Sequence, residues 1–212
     1  MTTLPPLVGL IGKKRVGKDT FAAVLVEEFG FARVAFADPL KEMALTIDPI
    51  IANGLRGSVP VHMRLSTAVA LDGWESVKDT YPEVRRFLQR LGDGVRQFDE
   101  DFWVGAGMKA AAGKRIQRPD FHNELGRGEG HWLPGQPVVI TDVRYPNEAD
   151  AIRDAGGILV RIVRPGVDDG DTHASETALD DYAVDDIVEN RGSVFELEML
   201  ARDRGAWIGT LA

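Results

Sequence analysis

Leu7–Phe29 reads LVGLIGKKRVGKDTFAAVLVEEF, and this stretch decides the fold. Leu7 to Ile11 is an unbroken apolar run of the kind that fills a buried parallel strand. Gly12-Lys13-Lys14-Arg15-Val16-Gly17-Lys18-Asp19-Thr20 follows and fits G-x-x-x-x-G-K, with Asp19 where Ser or Thr is usual. Phe21, Val24, Leu25 and Phe29 then recur at helical spacing, and Gly30 supplies a stop. Glycines at both ends of the loop let its backbone N–H groups turn inward onto phosphate oxygens. The N-terminus of the following helix adds partial positive charge at the same place.

On this reading Gly12, Lys14, Arg15, Val16, Gly17, Lys18, Asp19 and Thr20 are the candidates for binding ATP. Lys18 would reach the β- and γ-phosphates. Asp19 raises a question of metal ligation, because the residue there normally contacts Mg²⁺. Either Asp19 serves the outer shell of the ion or Thr20 takes the inner place. Lys13, Lys14, Arg15 and Lys18 make the loop basic enough to offset the extra carboxylate.

Working outward, 212 residues with 44% hydrophobic and 27% charged side chains suit one domain with a real core. The expected boundary is therefore 1–212 as a single domain. Twenty-five basic against 33 acidic residues give a net charge of −8, which argues against broad nucleic-acid binding. There is no cysteine, hence no disulfide and no thiolate metal site. The start, MTTLPPLVGLIG, lacks the basic and long apolar regions of a signal peptide. No apolar run approaches the ~20 residues of a membrane span. The expected location is the cytoplasm, with neither membrane nor nucleic acid as partner.

A second strand is expected at 31–37 (FARVAFA), ending in Asp38-Pro39-Leu40-Lys41. Charged residues past the carboxyl end of a strand face the crevice where open α/β sheets bind ligands, so Asp38 and Lys41 are candidates for a second substrate. Pro39 suits the first turn of a helix over 39–46. Pro49, Gly54, Gly57, Pro60 and Gly73 punctuate residues 47–82, whose helical periodicity is weak except near 63–71, and the segment reads as a mobile cover over a substrate. Val84, Phe87, Leu88, Leu91 and Val95 form the stripe of an amphipathic helix over 83–97. Off that stripe, Arg86 and Gln89 are candidates for substrate contact. Phe102 and Trp103 read as core of the next helix. Residues 113–137 lack any period and read as a surface excursion.

The second strong signal is Pro137-Val138-Val139-Ile140-Thr141-Asp142, an apolar strand ending in an acid, followed by Val143-Arg144. Asp142 is a candidate for Mg²⁺ and substrate, and Arg144 for bidentate phosphate binding and catalysis. After a helix at 148–155 and a strand at 158–163, Arg164 stands at a strand tip before an acidic stretch. It suits a segment near 164–181 that brings a guanidinium to a transferring phosphoryl group. A last strand is expected at 185–190 (DDIVEN) and a last helix at 193–201.

With GKKRVGKDT, AFADPLKEM, RRFLQRLGDGVR, ITDVRYPNEADAI and HASETALDDY in place, the chain resembles bacteriophage deoxynucleoside monophosphate kinases, a branch of the P-loop nucleotide kinases. The resemblance implies transfer of the ATP γ-phosphoryl group to a deoxynucleoside 5′-monophosphate with Mg²⁺. It implies a parallel five-stranded α/β sheet of order 2-3-1-4-5, flanked by helices, and a homodimer. It places Lys13, Arg15, Lys41, Arg86, Arg144 and Glu148 around the monophosphate, and adds Glu176 on the substrate side. Dephospho-coenzyme A or phosphomevalonate as acceptor, or a P-loop ATPase or nucleotide-sensing module, are the alternatives. A phage origin would place the enzyme in the host bacterial cytoplasm.

Overall fold

The chain is described from a computed structural model, which covers residues 4–56, 59–115, 118–119, 132–133, 135–166 and 177–210. It comprises two compact units, Met1–Phe36 with Gly107–Ala212, and Ala37–Ala106. Of the two points where the chain passes from one unit to the other, the second, between Ala106 and Gly107, falls within α5 (Phe102–Arg115).

The first unit is built on a five-stranded parallel sheet. Its strands are β1 (Leu7–Ile11), β2 (Ala32–Val34), β7 (Val138–Val143), β8 (Ile158–Val163) and β9 (Asp186–Glu189), in the order β2-β7-β1-β8-β9. Counted within the sheet alone, that is 2-3-1-4-5, the order the resemblance implies. β1 is fully buried along its length, as its apolar run requires. Alternate residues serve opposite faces. Val8 and Leu10 join a core with Phe21, Val24 and Leu25 of α1 (Lys18–Phe29) and Leu197, Ala201 and Ile208 of α7 (Val194–Gly209). On the other face, a Cβ at Gly9 would meet Ile152 of α6 (Pro146–Asp154), so that helix lies close against the sheet.

The expected strand at 31–37 is shorter than its apolar pattern, ending at Val34. The Phe36 N–H turns away from the ladder and donates to Asp142 Oδ1 at 2.7 Å. A polar side chain at the neighbouring strand tip thus claims the backbone that periodicity assigned to β2. The excursion at 113–137 also begins later than expected. Residues 113–115 continue α5, and Arg115 is 8% exposed, with Nε donating to the Pro5 carbonyl at 2.7 Å and Nη1 to that of Ala155 at 3.2 Å. Burial lowers the Arg115 pKa. Beyond it, β5 (Arg118–Pro119) and β6 (Trp132–Leu133) pair antiparallel.

The second unit holds α2 (Asp38–Ile47), an antiparallel hairpin of β3 (Ile50–Arg56) and β4 (Val59–Arg64), α3 (Leu65–Thr80) and α4 (Pro82–Arg96). The described residues of 47–82 are thus mostly regular structure, where the sequence showed helical periodicity only near 63–71. Gly54 and Pro60 lie within the hairpin strands, and Gly73 (φ 76°, ψ 163°) breaks α3 without ending it. Asp48, in the left-handed conformation at the end of α2, accepts from the Ser66 N–H at 2.8 Å and ties α2 to α3. The α4 stripe packs as its spacing predicts, with Val84 fully buried beside Ala44, Leu65, Ala68 and Val77. Trp103 is buried and donates from Nε1 to the Gly92 carbonyl at 3.2 Å. Phe102 is not core: it is 39% exposed and meets the Trp103 ring edge-on, because successive helical residues diverge by about 100°.

Candidate phosphate-binding site

The strand–loop–helix unit forms as its sequence predicts. β1 ends at Ile11, the loop turns through Gly12 (φ 153°), Arg15 (φ 62°) and Gly17 (φ 106°), and α1 starts at Lys18. The two glycines are required by space as well as by backbone angle. A Cβ at residue 12 would lie 2.4 Å from the Ile162 carbonyl oxygen of β8. One at residue 17 would lie 2.5 Å from Leu197 Cδ2 of α7.

Lys18 bends back over the loop. Its Nζ donates to the carbonyls of Gly12 and Lys13, the latter at 2.7 Å. The ammonium is therefore held against the loop backbone, on the short path between strand and helix. Thr20 is half-buried in the first turn of α1, whereas Asp19 is exposed beside it. Lys14 and Arg15 are exposed; Lys13 is half-buried and Val16 is buried beneath the loop.

Register brings the second sequence signal to the first. Ile11 of β1 aligns with Val143 of β7, so Asp142 and Arg144 flank the level at which the loop begins. Both are half-buried. Asp142 spends one oxygen on the Phe36 N–H, and Arg144 is fixed through its backbone, whose N–H donates to Glu148 Oε2 at 2.7 Å. The same Glu148 oxygen accepts from the Tyr145 N–H at 3.1 Å. Glu148 is 3% exposed, so its carboxylate caps α6 and sets the Arg144 backbone from within the fold. Arg164 directly follows β8 and is exposed. The carboxyl ends of β1, β7 and β8 therefore carry Gly12–Thr20, Asp142–Arg144 and Arg164 along one edge of the sheet. The chain leaves β1 toward β2 on one side and later crosses to β8 on the other, and crevices at such reversals are where open α/β sheets take their ligands.

The remaining candidates belong to the second unit or lie outside the described residues. Lys41 Nζ stands 3.9 Å from Asp38 Oδ1 in the first turn of α2. Arg86 pairs with Glu83 at 2.6 Å on an exposed stretch of α4, and Gln89 is exposed one turn on. Glu176 falls in 167–176, outside the described residues.

Sequence reasoning missed Asn190. It closes β9, is 3% exposed, and donates from Nδ2 to the Val16 carbonyl of the loop at 2.9 Å. The only signal was an Asn closing the short run DDIVEN, a position easily read as a turn residue. It also missed two arginine ties on 179–185: Arg161 donates to the carbonyls of Leu179, Asp180 and Tyr182, and Arg153 to that of Ala183 and to Asp185.

Among the described residues no helix is long and apolar enough to cross a membrane. The deoxynucleotide monophosphate kinase family model matches residues 72–200. A protein of Acanthamoeba polyphaga mimivirus, named "Putative deoxynucleotide monophosphate kinase", is 32% identical over 86% of each chain. The deoxynucleotide monophosphate kinase of Enterobacteria phage T4 is 30% identical over 54% of this chain and 42% of its own length. That of Escherichia phage RB69 is 27% identical over 58% of this chain and 44% of its own length. The family model spans more than half of the chain and the mimivirus protein is similar over most of it, and on these two matches the chain belongs to the deoxynucleotide monophosphate kinase family.

Proposed function

We infer that this chain transfers the γ-phosphoryl group of ATP to the 5′-phosphate of a deoxynucleoside monophosphate, giving ADP and the diphosphate. Its family supports the nucleotide acceptor, in preference to dephospho-coenzyme A, phosphomevalonate or an acceptor-free ATPase. The observation that carries the reading is Lys18 folded over the Gly12–Gly17 loop, one strand away from Asp142 and Arg144.

Two like-charged phosphates must meet in line, so the protein's work is positioning and neutralisation. The loop amides and Lys18 hold the donor phosphates, with Lys14, Arg15, Asp19 and Thr20 around them. Arg144, its backbone set by Glu148, binds the acceptor phosphate, and Lys13 and Arg15 add positive charge. Arg164 closes on the transferring group. The family resemblance supports Lys41 and Arg86 as further acceptor-binding residues; Asp38 is a candidate from its place after β2, Gln89 from its place off the apolar stripe of α4, and Glu176 from the family-like run HASETALDDY. The acceptor oxygen is already ionised at neutral pH, so no strong general base is needed.

Among the described residues there is no cluster of three or more His, Asp or Glu that could cage a metal ion. Mg²⁺ is held mainly by substrate phosphates and its own waters with one or two protein ligands, and the exposed Asp19 and half-buried Asp142 offer the hard oxygens it takes. Asp19, Thr20 and Asp142 are the residues to hold it, and when bound it draws charge from the β- and γ-phosphates. A homodimer in the cytoplasm completes the proposal. Purified protein incubated with ATP, Mg²⁺ and each deoxynucleoside monophosphate in turn should release ADP and a diphosphate. No turnover with any of them overturns the reading.

A further inference from the structure

We propose that Asn190 is a positioning residue for the phosphate loop: it sets the Val16–Gly17 peptide so that the Gly17 N–H faces the donor phosphates. The inference rests on the reading that this loop holds nucleotide phosphates. Asn190 reaches the loop from the far edge of the sheet. Its own backbone is fixed, because its N–H donates to the Val163 carbonyl at 2.8 Å where β8 ends. From there its Nδ2 donates to the Val16 carbonyl at 2.9 Å. The Val16–Gly17 peptide is trans, so its C=O and N–H point in opposite directions. Holding the carbonyl toward β9 turns the Gly17 N–H the other way, to the side on which anions are received. Gly17 is also where α1 begins, its carbonyl accepting from the Phe21 N–H at 3.0 Å, so the same anchor aims the helix end.

Two further observations point to a role beyond packing. Gly17 is pressed against the anchor: a Cβ there would stand 3.0 Å from Asn190 Nδ2. Asn190 Oδ1 is buried with no hydrogen-bond partner among the described residues. A buried acceptor without a partner is a standing cost, and a leucine of similar size would avoid it. The cost is offset if the chain needs the donor on the same side chain. Leucine keeps the volume, deletes the orphan acceptor and deletes the donor, so it separates the two demands.

The test is calorimetric titration of the full chain with ADP and, separately, with inorganic tripolyphosphate, which probes the loop without a base or sugar. Asn190→Leu should weaken both about tenfold, while the melting temperature and the KM for a deoxynucleoside monophosphate stay near those of the parent. The Gly17 amide resonance should move in the ¹⁵N–¹H spectrum. Asn190→Ser, with a shorter donor, gives the same reading at reduced size and serves if the leucine variant does not fold. Parent-like tripolyphosphate affinity in the folded Asn190 variants, beside its loss in Lys18→Ala, overturns this inference and leaves the phosphate loop standing. A parent chain that binds neither ADP nor tripolyphosphate overturns both.

Discussion

Replacing Gly12 by alanine tests the loop at its tightest point. The new Cβ would lie 2.4 Å from the Ile162 carbonyl oxygen and 3.0 Å from Val16 Cγ2. Ile162 cannot yield easily, because β8 is hydrogen-bonded to β1 on one side and to β9 on the other. Residue 12 also keeps a φ of 153°, which L side chains rarely adopt. The backbone contribution is about 1–3 kcal/mol and overpacking adds about 1–3 kcal/mol. Their sum, roughly 2–6 kcal/mol, is a large part of the ~5–15 kcal/mol that holds a typical domain folded. For a chain of this size each kcal/mol moves Tm by about 2–4 °C, so Gly12→Ala should melt roughly 5–20 °C lower. Gly30→Ala is the internal standard, since that residue has φ 71° but nothing within 4 Å of its would-be Cβ. It carries only the left-handed penalty of about 1–2 kcal/mol. Thermal melting by circular dichroism, with urea titration to check that the slope is unchanged, measures both. If Gly12→Ala and Gly30→Ala melt together, the close approach of the loop to β8 is wrong.

Lys18→Ala should lower kcat by about 10²–10³, the usual loss for one preorganised donor at a developing charge, and should also lower Tm, because the carbonyls of Gly12 and Lys13 lose a charged donor; initial rates beside a melt check both. Arg115→Ala should cost about 2–3 kcal/mol of stability, since two carbonyls lose a charged donor, yet leave the KM for ATP alone; urea titration and initial rates would show it. Asp48 has its pKa lowered chiefly by the Ser66 N–H, with Arg64 adding to it. A lowered folded-state pKa means its stabilisation is complete above the ordinary aspartate value of 3.8 and is lost as pH falls through the folded value. Asp48→Asn should therefore flatten the stability–pH curve below about pH 4, measured by urea midpoints, and leave its shape above pH 5 unaltered.

The fold was most legible where one period ran unopposed. β1, β7 and β8 are mainly apolar runs between glycine or proline signals, broken only by Thr141 and Asp142 in β7 and Arg161 in β8, and the α4 stripe at Val84, Phe87, Leu88 and Leu91 packs as spaced. Legibility failed where a side chain from elsewhere in the chain decides the backbone. Asp142 takes the Phe36 N–H and shortens β2. Gly54, Pro60 and Gly73 look like breaks, but the hairpin partner and the cluster around Leu65 and Val77 hold their neighbours in register. The positions of Lys18, Asp142 and Arg144 in the fold were readable because they sit at fixed offsets from strand ends. Asn190 and Arg115 act on backbone carbonyls far away in sequence, and no local pattern announces that.

The first unit is assembled from two pieces of chain, with the second unit drawn entirely from the stretch between them. Leu7 finds its ladder partner only at Val138, and Val8 its second at Ile158. During synthesis β1 and the loop after it must wait, unpaired, until most of the chain has been made, whereas the hairpin and helices of 37–106 close over short spans. High contact order slows folding and lengthens the exposure of sticky strands. The five-stranded sheet is thus the last part of this molecule that a growing chain can finish.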